Sequence, residues 1–230
     1  MWCLSLEKAD WEKLVDNLLK QGILHSPKVI KAMRTVPRLK FLPENMQSYS
    51  ATDTPLPIGF GQTISAPHMV SIMNEALQLE VGCKVLEVGA GSGWHAATMA
   101  ELISSRDEPR SEWGHVYTVE IVHVLADQAR KNIMNAGYGD RVSIINADGS
   151  KGYPEKAPYD RIVVTAAAPE VPKPLLDQLK TGGLMIIPVG NVSLFQNLLR
   201  ITKDSDGKSK RENLGGVAFV PLTGEYGQSS

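Results

Sequence analysis

Residues 85–96 read VLEVGAGSGWHA, and the fold turns on the three glycines that succeed the apolar run at their start. Val85, Leu86 and Val88 read as a strand, and Gly89, Gly91 and Gly93 then leave the backbone bare for a tight turn. A helix is predicted from Trp94, so strand, glycine turn and helix succeed one another directly. Such a turn lets main chain approach a ligand closely, and the new helix offers its free N–H groups there. A dinucleotide-binding GxGxxG turn would need a glycine where Trp94 stands. The pattern present is acidic-x-Gly-x-Gly-x-Gly, led by Glu87, with a purely structural glycine turn as the alternative reading.

Outward from this unit, apolar runs alternate with helical spacing. HVYTVE, VSIINAD, DRIVVTAAA and LMIIPVG read as strands, and WHAATMAELI, VLADQARKNIMNAG and KPLLDQLKTGG as helices between them. Strands alternating with helices predict a Rossmann-like, doubly wound α/β fold with a mostly parallel sheet. LFQNLLRITKD and GGVAFVPLTG flank the polar turn KDSDGKSKRE and predict an antiparallel C-terminal hairpin. Before the first strand, Leu6, Trp11, Leu14, Val15, Leu18 and Leu19 mark one helix, stopped by Gly22. A second is predicted from Pro27 to Thr35 with Ser26 as its cap. The expected division is a helical extension with a loop over residues 1–80 and a ligand-binding core over 81–230.

Composition narrows the partners. A net charge of −1 gives no electrostatic grip on nucleic acid or anionic lipid. Cys3 and Cys83 alone support neither a disulfide framework nor a zinc site, and no metal is expected. No run approaches the roughly 18 apolar residues of a membrane span, and no signal peptide is visible, so the expected location is the cytoplasm.

The stretch TPLPIGFGQTISAPHM, residues 54–69, fits neither period. Pro55, Pro57 and Pro67 argue against a strand, yet Ile58, Phe60, Ile64 and Met69 are too apolar for a free linker. Two acids complete the pattern: Glu120 ends the second core strand and Asp148 the third. Carboxyl ends of consecutive parallel strands face one crevice, where a carboxylate takes the hydroxyls of a ribose. The alternative for either acid is a cap on the next helix.

The glycine turn led by Glu87 resembles motif I of class I S-adenosylmethionine-dependent methyltransferases. Asp53-x-Pro55-x-x-Ile58-Gly59-x-Gly61-x-Thr63-Ile64-Ser65-Ala66-Pro67-His68-Met69 closely resembles the signature of the protein-L-isoaspartate (D-aspartate) O-methyltransferases. The resemblance continues through NADGSKGYPEKAPYDRIVVTAAAPEVPKPLLDQLKTGG and GGVAFVPLTG. It implies a repair enzyme that methylates the free α-carboxylate of L-isoaspartyl residues, and less efficiently D-aspartyl residues, in damaged proteins. The ester then returns through a succinimide partly to normal aspartate. S-adenosyl-L-methionine is the implied cofactor and S-adenosyl-L-homocysteine the product. Carried over residue by residue, Ser65 matches the active-site serine. Gln62, Thr63, Ile64, Ser65, Glu87, Gly89, Gly91, Gly93, Glu120, Ile121, Ala147, Asp148 and Thr223 match the cofactor site.

A nucleophilic Ser65 would need an oriented base; His68 is three residues on, but the sequence offers no third group to orient it. Ser65 is therefore read as a hydroxyl donor to the substrate carboxylate, and His68 as a structural histidine at a helix start. A monomer acting on damaged proteins and peptides is expected. The rival readings are a methyltransferase of small molecules or RNA, and a non-catalytic isoaspartyl-binding adaptor.

Overall fold

The helical spacing of Trp11, Leu14, Val15 and Leu18 produces α1 (Trp2–Lys20), whose apolar stripe is buried. A computed structural model describes residues 2–191 and 196–228, with side chains from residue 8 onward. The face expected at Leu6, the pairing of Cys3 and the Leu194–Phe195 start of the hairpin lie outside the described side chains. α2 (Pro27–Thr35) has the predicted bounds, with Ser26 at its N-cap but making no side-chain cap. Ser26 Oγ instead donates to Glu75 Oε2 at 2.5 Å, while Glu75 Oε1 accepts the N–H groups of His25 and Ser26, both at 2.9 Å. One carboxylate thus ties the start of α2 to α3 (Pro67–Leu77).

Residues 54–69 correct the expectation of a strandless loop. β1 (Leu56–Gly59) and β2 (Gln62–Ile64) form a two-stranded antiparallel ribbon. Both strands of such a ribbon are edges, where the missing N–H of Pro57 is tolerated. Leu56, Ile58 and Ile64 are buried while Pro57 and Gly59 face out. Phe60 and Gly61 close the ribbon with φ of 55° and 70°, the two positive values that a type I′ turn requires.

The core follows the sequence in β3 (Lys84–Val88), α4 (Trp94–Ile103), β4 (His115–Glu120), α5 (His123–Ala136), β5 (Val142–Asn146) and β6 (Tyr159–Val164), but the helix expected over residues 173–183 stops early: α6 is Lys173–Gln178 and Leu179–Gly183 already belong to β7 (Leu179–Gly190). β8 (Gln196–Lys203) and β9 (Ser209–Val217) complete a seven-stranded sheet in the order β5-β4-β3-β6-β7-β8-β9. The first five are parallel; β8 and β9 add antiparallel. β9 begins inside the stretch read as a polar turn and ends before Ala218, because an exposed edge strand carries no apolar alternation to reveal it.

Alternate residues bury on opposite faces: Val85, Val163 and Ile186 in one cluster, Leu86, Ile162, Val164 and Met185 in the other. Trp11, Leu18 and Met33 belong to the first cluster, so the N-terminal helices cover that face of the sheet. Trp94 locks them to the glycine turn. It is fully buried, donates from Nε1 to Val36 O at 2.9 Å, and meets Trp11 edge-on with centroids 5.9 Å apart. Truncating such a tryptophan to alanine typically costs about 3–5 kcal/mol. The chain reverses direction in the sheet between β4 and β6, on either side of β3, and open α/β sheets bind ligands at that point.

Candidate active site

Three concavities meet above the carboxyl ends of β3, β4 and β6. A cleft, about 540 Å³ with the solvent at its mouth included, is lined by Gly89 and Gly91 of the turn, Glu120, Ile121, Gly149 and Thr165, and by Gln62 and Thr223 from outside the sheet. A wider groove of about 1450 Å³ runs beside it, lined by Thr63, Ser65, His68, Thr165 and the Gly216–Val220 segment. A smaller recess of about 320 Å³ between them touches Ile64, Ser65, Gly89, His95 and Thr165. Thr165 is common to all three, and Ser65 lines the groove and the recess.

The cleft is organised by one buried carboxylate. Glu120 Oε2 accepts from Gly91 N at 2.8 Å and Oε1 from Val122 N at 3.0 Å, which pins the glycine turn to the strand end. A carboxylate offers about four acceptor positions, so two remain for a ligand in the cleft. Gly89 takes φ 97°, and a Cβ there would collide with Thr165 Oγ1; only glycine fits. Thr165 Oγ1 lies 3.0 Å from Val88 O and 2.7 Å from Gly89 O, so its proton is spent on the main chain. A diol at Glu120 and a sulfonium-bearing chain along the bare turn match this donor set, and the residues fit S-adenosylmethionine.

Under the turn lies a polar chain that does not reach the cleft. Glu87 is fully buried; its Oε2 accepts from Thr118 Oγ1 at 2.5 Å, and Oε1 has no hydrogen-bond partner among the described residues. His95 Nδ1 stands 3.4 Å from that Oε1, and His95 Nε2 lies 3.2 Å from Asn74 Oδ1. Burial pushes the Glu87 carboxyl up to about 8 and the His95 imidazole down to about 3, favouring the neutral form of each.

A profile of the protein-L-isoaspartate(D-aspartate) O-methyltransferase (PCMT) family matches residues 9–227. The chain belongs to this family. The protein-L-isoaspartate O-methyltransferase of Hyperthermus butylicus is 56% identical over 215 residues, covering 94% of this chain and 89% of that one. The Thermococcus sibiricus protein of the same name is 55% identical, covering 94% and 95%. A crystal structure of the Plasmodium falciparum family member with bound S-adenosyl-L-homocysteine superposes with a TM-score of 0.81 at 30% identity, covering 93% of this chain and 98% of that chain. The fold is thus that of the Rossmann-like methyltransferases of this family, and S-adenosylmethionine is its cofactor.

Set against the family's motifs, the structure brings Gln62, Gly89, Gly91, Glu120, Ile121 and Thr223 to the cleft. Thr63 and Ser65 line the groove, and Ile64 the recess. Gly93 instead caps α4 at φ 87°, and Ala147 donates its N–H to Glu120 O at 3.1 Å behind the cleft. Asp148 takes the capping role weighed as its alternative. Its Oδ1 accepts from Ser150 N and Oγ, and its Oδ2 from Glu225 N at 2.9 Å. Burial raises the Asp148 pKa, but these bonds and nearby Lys151 outweigh it and hold the carboxyl below its ordinary value.

The orienting group that the sequence failed to show for His68 is Asp53. Its Oδ1 accepts from His68 N and lies 2.9 Å from His68 Nδ1, capping α3 and fixing the ring together. No described hydrogen bond joins His68 to Ser65, so the nucleophile–base link of a triad is not made. Sequence reasoning missed Thr165 and the Val220–Leu222 wall of the cleft, although both lie in the segments that carry the family resemblance. Among the described residues there is no cluster of three metal-ligating side chains, and no helix is long and apolar enough to cross a membrane.

Proposed function

We infer that the chain transfers a methyl group from S-adenosylmethionine to the free α-carboxylate of L-isoaspartyl residues, and less efficiently to D-aspartyl residues, in damaged proteins and peptides. The observation that carries this reading is the open groove beside the cofactor cleft, joined to it at Thr165 and edged by Ser65. A groove open to solvent suits a segment of peptide, and the ribbon of residues 56–64 presents Gln62 to the cleft and Thr63 to the groove.

The chemistry asks for position more than for acid or base. When bound, the cofactor supplies an electrophilic methyl on a sulfonium. Glu120 would hold the ribose hydroxyls, the Gly89–Gly91 turn the adjoining chain, and Gln62 and Thr223 the open side of the cleft. An α-type carboxyl has an unperturbed pKa of about 3.3–3.7, so the acceptor arrives ionised and no base is required. Among the described residues, no lysine or arginine lines the groove. A cationic clamp there would stabilise the concentrated charge of the acceptor more than the dispersed charge of the transition state. Thr165 has committed its proton, which leaves Ser65 Oγ, with no partner among the described residues, as the neutral donor at the junction. Ser65 and the ribbon would hold the carboxylate in line, where effective molarities of about 10⁵ M and above are available.

The same reading has the enzyme acting as a cytoplasmic monomer, which cell fractionation and light scattering test. The deciding assay is transfer of labelled methyl from S-adenosylmethionine to an isoaspartyl peptide, with the normal aspartyl peptide as control. Labelling of neither peptide while S-adenosylhomocysteine still binds would favour a non-catalytic adaptor, and labelling only of small molecules or RNA the other rival.

A further inference from the structure

Arg38, just after α2, is fully buried, yet no carboxylate pairs with it among the described residues. A guanidinium has five N–H donors. Each is spent on a main-chain carbonyl: Nε on Ser50 O at 3.2 Å, Nη2 on Tyr49 O at 3.2 Å and Thr52 O at 2.7 Å, Nη1 on Thr54 O at 2.7 Å and Ser65 O at 3.1 Å. Four of these carbonyls belong to the loop entering the ribbon. The fifth belongs to Ser65, beyond the far strand.

We propose that Arg38 is a positioning residue for methyl transfer: its guanidinium fixes the Ser65 carbonyl, and through it the Ser65 hydroxyl, against the loop of residues 49–54. A residue needed only to staple that loop has four acceptors there already; the bond to Ser65 O reaches across the ribbon to the junction of groove and recess. The guanidinium also lies 5.8 Å over the ring of Trp94, the first residue of the helix after the glycine turn. One buried cation therefore sets the serine edge of the groove relative to the cofactor turn. Burial lowers the Arg38 pKa to about 10, with Asp53 opposing, so the fork stays fully protonated at neutral pH. Backbone acceptors suit the task, because a carboxylate partner would add a second buried charge without reaching Ser65.

The inference rests on the reading of Ser65 as the acceptor's donor. Its test is single-turnover transfer to an isoaspartyl peptide by wild type, Arg38→Lys, Ser65→Ala and the double variant, with S-adenosylhomocysteine affinity measured by calorimetry. Lysine keeps the charge but brings three donors to five carbonyls. Arg38→Lys should fold, bind S-adenosylhomocysteine within about threefold of wild type, and transfer methyl about a hundredfold more slowly, the scale of a misplacement near 1 Å. Added to Ser65→Ala, Arg38→Lys should cost nothing further, because the hydroxyl it positions is gone. Additive losses, a folded Arg38→Lys at the wild-type rate, or a parallel loss of cofactor affinity would each overturn the proposal. If Arg38→Lys does not fold, Arg38→Ala in millimolar guanidinium, against equal sodium chloride, supplies the missing fork. Recovery of both fold and rate supports the proposal; recovery of fold without rate, or of neither, overturns it. A wild type inactive on the isoaspartyl peptide would instead refute the functional reading, and the inference with it.

Discussion

Glu120→Ala separates binding of the cofactor from the architecture of its cleft. The carboxylate has two jobs: two of its acceptor positions hold Gly91 N and Val122 N, and two face the cleft. Hydrogen bonds to a charged group contribute about 1.5–3 kcal/mol. Losing that contribution weakens S-adenosylhomocysteine binding about 10- to 150-fold, at 1.4 kcal/mol per decade. The two released N–H groups cost at most about 1 kcal/mol each, since they border an open cleft that water enters. For a domain of this size that is a fall in Tm of up to about 4–8 °C. Calorimetry with the product cofactor measures the first effect without turnover, and thermal unfolding the second. Mass action supplies a cross-check. At a ligand concentration 100 times the wild-type Kd, wild type gains about 2.7 kcal/mol, and a variant weakened a hundredfold only about 0.4 kcal/mol. An unchanged Kd in a folded variant would remove Glu120 from the cofactor site and refute the reasoning.

Ser65→Ala should leave cofactor affinity nearly intact and slow methyl transfer by about 10²–10³, the usual cost of one preorganised donor; a covalent adduct trapped on Ser65 would contradict the positioning role. The single-turnover rate at saturating peptide should be nearly flat between about pH 6 and 8, well above the acceptor's carboxyl pKa. A tenfold rise per pH unit that vanishes in His68→Asn would establish a general base instead. Asp148→Asn should destabilise at neutral pH, by denaturant midpoint. The folded carboxyl titrates below its ordinary 3.8, so its contribution is full above that value and disappears as pH falls through the folded pKa. A difference from wild type that persists undiminished at the acid end would rule this out. Glu87→Gln should fold and bind S-adenosylhomocysteine within about threefold of wild type, because a neutral amide reproduces a neutral acid. Wild type should lose stability relative to that variant as pH rises from the ordinary 4.5 to about 8, where the folded carboxyl ionises; parallel curves would show a Glu87 already charged.

The core was legible because its two periods are unambiguous: Trp94–Ile103 and His115–Glu120 have the bounds read from the sequence. What escaped was structure held by main chain. β9 is exposed along nearly its whole length and exists by pairing with β8, so no side-chain pattern announces it. The ribbon of residues 56–64 hides behind its prolines because its stability lies in burying Leu56, Ile58 and Ile64 against the domain. Within the site, Glu120 was legible as a strand-end acid. Thr165 was not, because its importance lies where three cavities touch. Arg38 was the least legible of all: its partners are carbonyls, which every residue carries.

Glu87 shows how one motif letter holds two physical meanings. A charged glutamate fully buried under the turn would carry a charge that its burial disfavours. The structure points to a neutral chain there. A proton on Glu87 Oε1 faces His95 Nδ1, so the 3.4 Å pair joins a donor to an acceptor. His95 Nε2 then donates to Asn74 Oδ1, Asn74 Nδ2 to Thr98 Oγ1 at 3.1 Å, and Thr98 Oγ1 to His95 O at 2.8 Å. From His95 onward the donors run in one direction, and the chain needs no buried charge. The groove's lining, among the described residues, likewise presents hydroxyls and no lysine or arginine. The carboxylate that lines the cleft is Glu120, which the proposed function assigns to the ribose. On the proposed reading rate comes from where Ser65 is held, and Arg38 lies buried behind it with its charge turned toward backbone carbonyls.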